Sequence, residues 1–86
     1  MQIIYTSQFE RKYKKLSEDL KILAEEREKI FRKNPFNKKL DTHKLHGKLK
    51  NFWSFSVAHN FRIIFEISKN KKVFYFHSIG NHKIYN

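Results

Sequence analysis

The stretch Trp53-Ser54-Phe55-Ser56-Val57-Ala58-His59-Asn60-Phe61-Arg62-Ile63-Ile64-Phe65-Glu66-Ile67 decides how this chain folds. Trp53, Phe55 and Val57 alternate with Ser54 and Ser56, the two-residue period of a strand with one buried face. Ala58-His59-Asn60 reads as a turn, and Phe61 to Ile67 as a second strand. Ser68-Lys69-Asn70-Lys71 makes the next turn, followed by a third strand from Lys72 to Ile79. Turns this short join antiparallel neighbours, so the segment predicts a β-meander. Its last two strands are apolar on both faces. One face is expected to pack on helices, and the other is only partly needed for the core.

Upstream, Gln2 to Thr6 is rich in β-branched and aromatic side chains and predicts a short strand. Ser7 stands three residues before Glu10, the spacing of a capping box, so a helix is expected there with Phe9, Tyr13 and Leu16 on one side. Ser17 offers a second cap. Leu20, Leu23, Ala24, the stem of Arg27, Ile30 and Phe31 then keep a helical rhythm to about Lys33, opposite a charged face. Asn34-Pro35 ends this helix, because proline disfavours helical geometry in the residue before it. The expected architecture is α+β: a strand, a helical hairpin, then an antiparallel sheet, in a single domain over residues 1–86.

Composition narrows the function. No apolar run approaches a membrane span, and the N-terminus lacks the basic and apolar regions of a signal peptide. Without cysteine there is no disulfide framework, thiolate metal site or thiol nucleophile. The net charge is +11, and it is unevenly placed: residues 44–86 carry eight bases against the single acid Glu66. A surface so poorly neutralised attracts polyanions, nucleic acid foremost and an acidic protein second.

Cleaving RNA through its own 2′-hydroxyl requires three things: a group to take that proton, cations to hold the phosphate, and a group to protonate the leaving 5′-oxygen. Groups titrating near neutrality suit the proton transfers and fixed cations the phosphate. The chain offers His43, His46, His59, His77 and His82, with Arg62 in a strand and Lys44, Lys48 and Lys50 just before the sheet. His43 and His46 are three apart, but no cysteine and few acids complete a zinc pattern, so no metal is expected. His77 within a strand and His59 in a turn read as structural or solvated. Arg62 in an apolar strand needs a partner or a task. A pair with Glu66, four residues on and on the same face, would satisfy it without any functional role.

Asn34-Pro35-Phe36, Leu40-Asp41-Thr42-His43-Lys44-Leu45-His46-Gly47-Lys48-Leu49, Trp53-Ser54-Phe55 and Phe61-Arg62-Ile63-Ile64-Phe65 resemble the RelE/ParE superfamily of toxins. The closing Ile79-Gly80-Asn81-His82-Lys83-Ile84-Tyr85 is similar to that superfamily's glycine-x-histidine segment with its terminal aromatic. The likeness runs along almost the whole chain in the same order and points to the RelE/StbE and YafQ-like branches of bacterial type II toxin–antitoxin modules. It implies a RelE-like fold and a ribosome-dependent, metal-independent mRNA endoribonuclease that needs no cofactor. It also implies a cognate antitoxin forming a hetero-oligomer with the toxin, a bacterial cytoplasmic location and no membrane partner.

Carried over residue by residue, the resemblance makes His43 a candidate general base or proton-transfer group and Arg62 the stabiliser of phosphate charge. It makes His82 a candidate general acid and Tyr85 a positioning aromatic. Lys48 and Lys50 correspond to the basic loop that grips the RNA backbone, with Lys44 and His46 beside them; Trp53 is expected mainly in the core. The sequence departs from the YafQ-like pattern at Asn60 and Ser56, where that branch carries an aspartate and a second histidine. The alternatives are a ParE-like gyrase inhibitor and a non-catalytic module that binds RNA or antitoxin.

Overall fold

The computed structural model describes residues 1–81. Along the chain run β1 (Gln2–Tyr5), α1 (Ser7–Lys14), α2 (Glu18–Lys33), a 3-10 turn (Lys38–Leu40), β2 (His43–Lys44), a second 3-10 turn (Gly47–Leu49), β3 (Trp53–Ala58), β4 (Phe61–Ile67) and β5 (Val73–Asn81). The expected meander is β3–β4–β5, antiparallel throughout. Two strands enlarge it: β2 pairs antiparallel with β3, and β1 lies parallel to β5, giving the order β1-β5-β4-β3-β2. The sheet is therefore mixed. The parallel pair is possible because the helical hairpin after β1 crosses one face of the sheet before the chain enters the meander.

The helices begin and end for local reasons. Thr6, still extended (φ −70, ψ 162), accepts the Phe9 amide at 3.1 Å, so the α1 cap falls one residue before the expected Ser7. The same hydroxyl donates to the His77 carbonyl at 3.2 Å, tying the start of α1 to β5. Ser17 caps α2 as its spacing predicts, accepting from the Leu20 amide at 3.3 Å. Glu18 and Asp19 in the first turn and Arg32 and Lys33 in the last oppose the helix dipole favourably. Asn34, before Pro35, turns extended and stops the helix.

The helices cover one sheet face. At its centre Phe31, fully buried, has ring centroids 4.8 Å from Phe55, 5.0 Å from Phe65, 5.4 Å from Phe74 and 5.3 Å from Phe76. Truncating a ring so enclosed costs about 3–5 kcal/mol. The other face is built of Ser54, Ser56, Arg62, Ile64 and Glu66 by strand alternation, and no helix among the described residues crosses it. Two register irregularities shape this sheet. Val57 is an extra residue opposite β4, and His77 is an extra residue opposite the Ile64–Phe65 step.

Candidate active site

The functional corner starts from β2. Only two residues long, it sits at the sheet edge with His43 opposite Ser54 and Lys44 opposite Trp53. Ser54 in turn lies opposite Ile64, and Ser56 opposite Arg62. His43, Ser54 and Arg62 therefore share the helix-free face, Arg62 standing diagonally across from Ser54.

Arg62 is the hub. Its Nε donates to Ser54 Oγ at 2.9 Å, and Nη2 donates to the Asp41 carbonyl at 2.7 Å. The same Nη2 lies 3.3 Å from His43 Nδ1, and Nη1 lies 3.5 Å from Asp41 Oδ2. The His43 Nδ1 is itself 3.1 Å from the Asp41 carbonyl. The arginine side chain is 14% exposed while the Asp41 carboxylate is 74% exposed. A carboxylate so wet adds little to the pair, and the two neutral oxygens set the guanidinium's direction. Those two bonds occupy two of its five N–H donors. An incoming anion needs only to displace a weakly held, solvated carboxylate.

This arrangement overturns the simple pairing of Arg62 with Glu66. Arg62 engages Asp41, His43 and Ser54, whereas Glu66 Oε1 meets His77 Nε2 at 3.1 Å. The buried Ile64 stands between the two on the same face and keeps them apart. Asp41 and Ser54 are the residues that sequence reasoning passes over. Each left a signal: Asp41 is the only acid between Glu28 and Glu66, and Ser54 is a polar residue in mid-strand that proves fully buried.

The basic segment divides. Alternation turns Lys44 away from His43, and its ammonium lies 6.0 Å from the Trp53 ring centroid. Trp53, partly buried, packs against the core and meets Phe36 edge-on at 5.4 Å. His46, Lys48 and Lys50 are exposed on the loop around the Gly47–Leu49 turn. That loop is closed by the Leu45 amide on the Phe52 carbonyl and the Phe52 amide on the Leu49 carbonyl, both 2.9 Å, with Leu45 buried as its anchor. Gly47 opens it at φ +68, a left-handed conformation that suits glycine. His59 is exposed in its turn, beside Asn60 at φ 62. His82 and Tyr85 lie outside the described residues.

A second concave feature is chemically different. A hollow of about 480 Å³ on the helix side is lined by Tyr5, Phe9 and Tyr13 with Glu10, Glu25 and Glu28. Burial, followed by its hydrogen bond to Glu28 at 2.7 Å, holds the Tyr5 hydroxyl above its ordinary pKa. None of the candidate residues lines it. Among the described residues, no three His, Asp or Glu side chains gather as a metal site, and no helix is long and apolar enough to cross a membrane.

The family model described as a bacterial toxin of type II toxin–antitoxin system, YafQ, matches residues 1–85. No curated protein matches the sequence. Among solved structures, the fold is similar to a YoeB/ParE toxin from Agrobacterium tumefaciens, with TM-score 0.80 at 14% identity over 95% of this chain and 99% of that one. It is also similar to YafQ from E. coli strain BL21(DE3), with TM-score 0.79 at 17% identity over 96% and 94% of the two chains. A third likeness is to the E. coli DinJ–YafQ complex, with TM-score 0.67 at 20% identity over 95% and 93%.

Proposed function

The chain belongs to the YafQ family of toxins from bacterial type II toxin–antitoxin systems, and from that membership we propose that it is a ribosome-dependent mRNA endoribonuclease. The observation that carries this reading is the pairing of an exposed imidazole, His43, with the anchored guanidinium of Arg62 at 3.3 Å, beside a loop bearing exposed Lys48 and Lys50. A phosphodiester laid on this corner meets the guanidinium with its non-bridging oxygens, and charge accumulating on them in the transition state strengthens that contact. His43 takes the proton from the ribose 2′-hydroxyl as that oxygen attacks phosphorus. The bond to the 5′-oxygen breaks, leaving a 2′,3′-cyclic phosphate on one fragment and a 5′-hydroxyl on the other. His82 supplies the proton to that leaving oxygen, and Tyr85 positions a base or phosphate.

Exposed His46, Lys48 and Lys50 hold the flanking RNA and ribosomal phosphates, a contact that weakens as salt rises. Lys44 serves the same electrostatic purpose from the other side of β2. The partner that restrains the toxin is a cognate antitoxin, as the solved DinJ–YafQ complex exemplifies for a relative. The proposed place of action is the bacterial cytoplasm, where ribosomes and mRNA meet.

Primer extension on a reporter mRNA in a reconstituted translation system tests this reading, with wild-type protein and His82→Ala, with and without ribosomes. Cuts within codons that require ribosomes and vanish in the variant are the expected result. Cuts in naked RNA would remove the ribosome from the mechanism. Absence of any cut by folded protein would overturn the nuclease reading in favour of a gyrase inhibitor or a binding-only role.

A further inference from the structure

The loop between α2 and β2 holds one aromatic ring out from the fold. Phe36 is 52% exposed, and its ring meets Trp53 edge-on, with centroids 5.4 Å apart and planes at 79°. Lys44 carries its ammonium 6.0 Å from the Trp53 ring centroid, completing a small aromatic and cationic patch. A hydrogen-bonded turn displays the ring. The Phe36 amide donates to Asn34 Oδ1 at 3.0 Å, and the Asn37 amide to the Asn34 carbonyl at 3.1 Å. Asn37 Oδ1 accepts the Lys39 amide at 2.9 Å, and fully buried Leu40 pins the far end of the turn.

This turn is tied to the corner that holds His43. The Thr42 hydroxyl donates to the Pro35 carbonyl at 2.6 Å, joining the residue before Phe36 to the residue before His43. At the edge of the sheet, the two residues of β2 point to opposite faces: His43 meets Arg62, and Lys44 meets Trp53 beside Phe36. An RNA strand passing over this edge meets both groups. The setting is cationic: from Lys29 to Leu40 the chain has no acid, and exposed Lys33, Lys38 and Lys39 lie within three positions of Phe36. A flat apolar ring among cations matches a nucleotide, whose base stacks and whose phosphate is anionic. An acidic peptide would meet the lysines and leave the ring without a counterpart.

We propose that Phe36, backed by Trp53 and flanked by Lys44, is a stacking platform for an unpaired base of the RNA bound beside His43. Lys44 holds a phosphate of the same strand. The choice of RNA as occupant rests on the nuclease reading above. Because the fold already fixes the ring, binding does not have to order it. Because every base has a π-face, the platform grips RNA without choosing its sequence.

Trp53 is the only tryptophan, so its emission reports on this patch. The full chain is titrated with two end-labelled 2′-O-methyl RNA oligonucleotides of equal length, one bearing bases and one abasic. Neither has the attacking hydroxyl, and both carry the same backbone charge, so purely electrostatic binding cancels in the comparison. By anisotropy the base-bearing strand should bind about tenfold tighter, and it should quench Trp53. Phe36→Leu should erase the advantage and the quenching while abasic binding stays within about twofold; Phe36→Tyr should restore both. Equal affinity of wild-type protein for the two strands overturns the proposal. So does an advantage that survives Phe36→Leu or comes without quenching. Quenching by a poly-glutamate peptide, with no base advantage for RNA, would give the patch to an acidic protein partner instead. If Phe36→Leu does not fold by thermal melting, the wild-type comparison and Phe36→Tyr decide. Ribosome-dependent cleavage is measured alongside. Protein that stacks bases but cuts no RNA sinks the nuclease reading alone, and protein that cuts RNA without a base advantage sinks the platform alone.

Discussion

The helix-free face of β4 holds two polar clusters with similar ingredients and opposite order. At one end the strand supplies the cation: Arg62 is 14% exposed, and its partners Asp41 and His43 come from the wet loop and edge strand. At the other end the strand supplies the anion: Glu66 bonds His77, whose side chain is 32% exposed and whose ring meets the edge of Phe52 at 5.0 Å. His77 already spends a ring nitrogen on Glu66, whereas His43 meets the Asp41 carbonyl and Arg62 through Nδ1 and keeps its ring exposed. A buried guanidinium with exposed neighbours makes a surface that an anion can enter. A partly buried imidazole closed on a carboxylate makes a link between two strands. The difference lies in which partner is desolvated and which remains reachable.

The largest effect is expected at Arg62. Arg62→Ala removes the fixed cation and should lower ribosome-dependent cleavage by about 10²-fold or more in primer extension; near-normal cutting would leave the two clusters functionally alike. The histidines should separate next. His43→Ala should cost about 10²-fold in cleavage, while His77→Ala should change cleavage less than about threefold and lower stability by about 1 kcal/mol in urea titration. Equal losses from both would erase the distinction between a reactive and a linking imidazole.

Ser54→Ala isolates the anchoring of Arg62. Its buried hydroxyl accepts from a cation, so the change should lower stability by about 1–2 kcal/mol and cleavage by about tenfold. A fall in stability with cleavage intact would show that the carbonyl of Asp41 alone holds the guanidinium. The smallest effect belongs to the helix side. Tyr5 and Tyr13 are held above their ordinary pKa of 10.0 by burial and by the carboxylates of Glu28 and Glu25. Because the folded state holds these protons more tightly, their stabilisation is intact below pH 10 and is lost as pH rises beyond it. Tyr5→Phe should therefore make the fall of Tm above about pH 10 shallower and leave cleavage at neutral pH unaltered.

Much of this was legible in the chain itself. The serine alternation in Trp53–Val57 marked β3 and its open face, and the rhythm from Leu20 to Phe31 marked α2 and its buried side, because both are periodicities of local geometry. The cap of α1 lies one residue before the position its spacing predicts, since Thr6 and Ser7 carry equivalent hydroxyls and only the extended backbone leaving β1 distinguishes them. Strand spacing alone pairs Glu66 with Arg62. That spacing could not register Ile64 between them, nor the β4–β5 register that sets Glu66 opposite Tyr75 and so near His77.

By itself the sequence determined β1, the two helices and the three long strands, the apolar faces, the basic excess of the second half and the histidines and arginine available for chemistry, because these depend on residue type and short-range spacing. Only the tertiary structure decided which of them meet. Pairing β2 against β3 set His43 beside Ser54 and near Arg62, which lies nineteen positions further on. The left-handed backbone at Asp41 then aimed one carbonyl at both side chains. Neither contact is written in local periodicity: the first follows from strand register and the second from a single φ/ψ well, and both are fixed only when the sheet closes over its aromatic core.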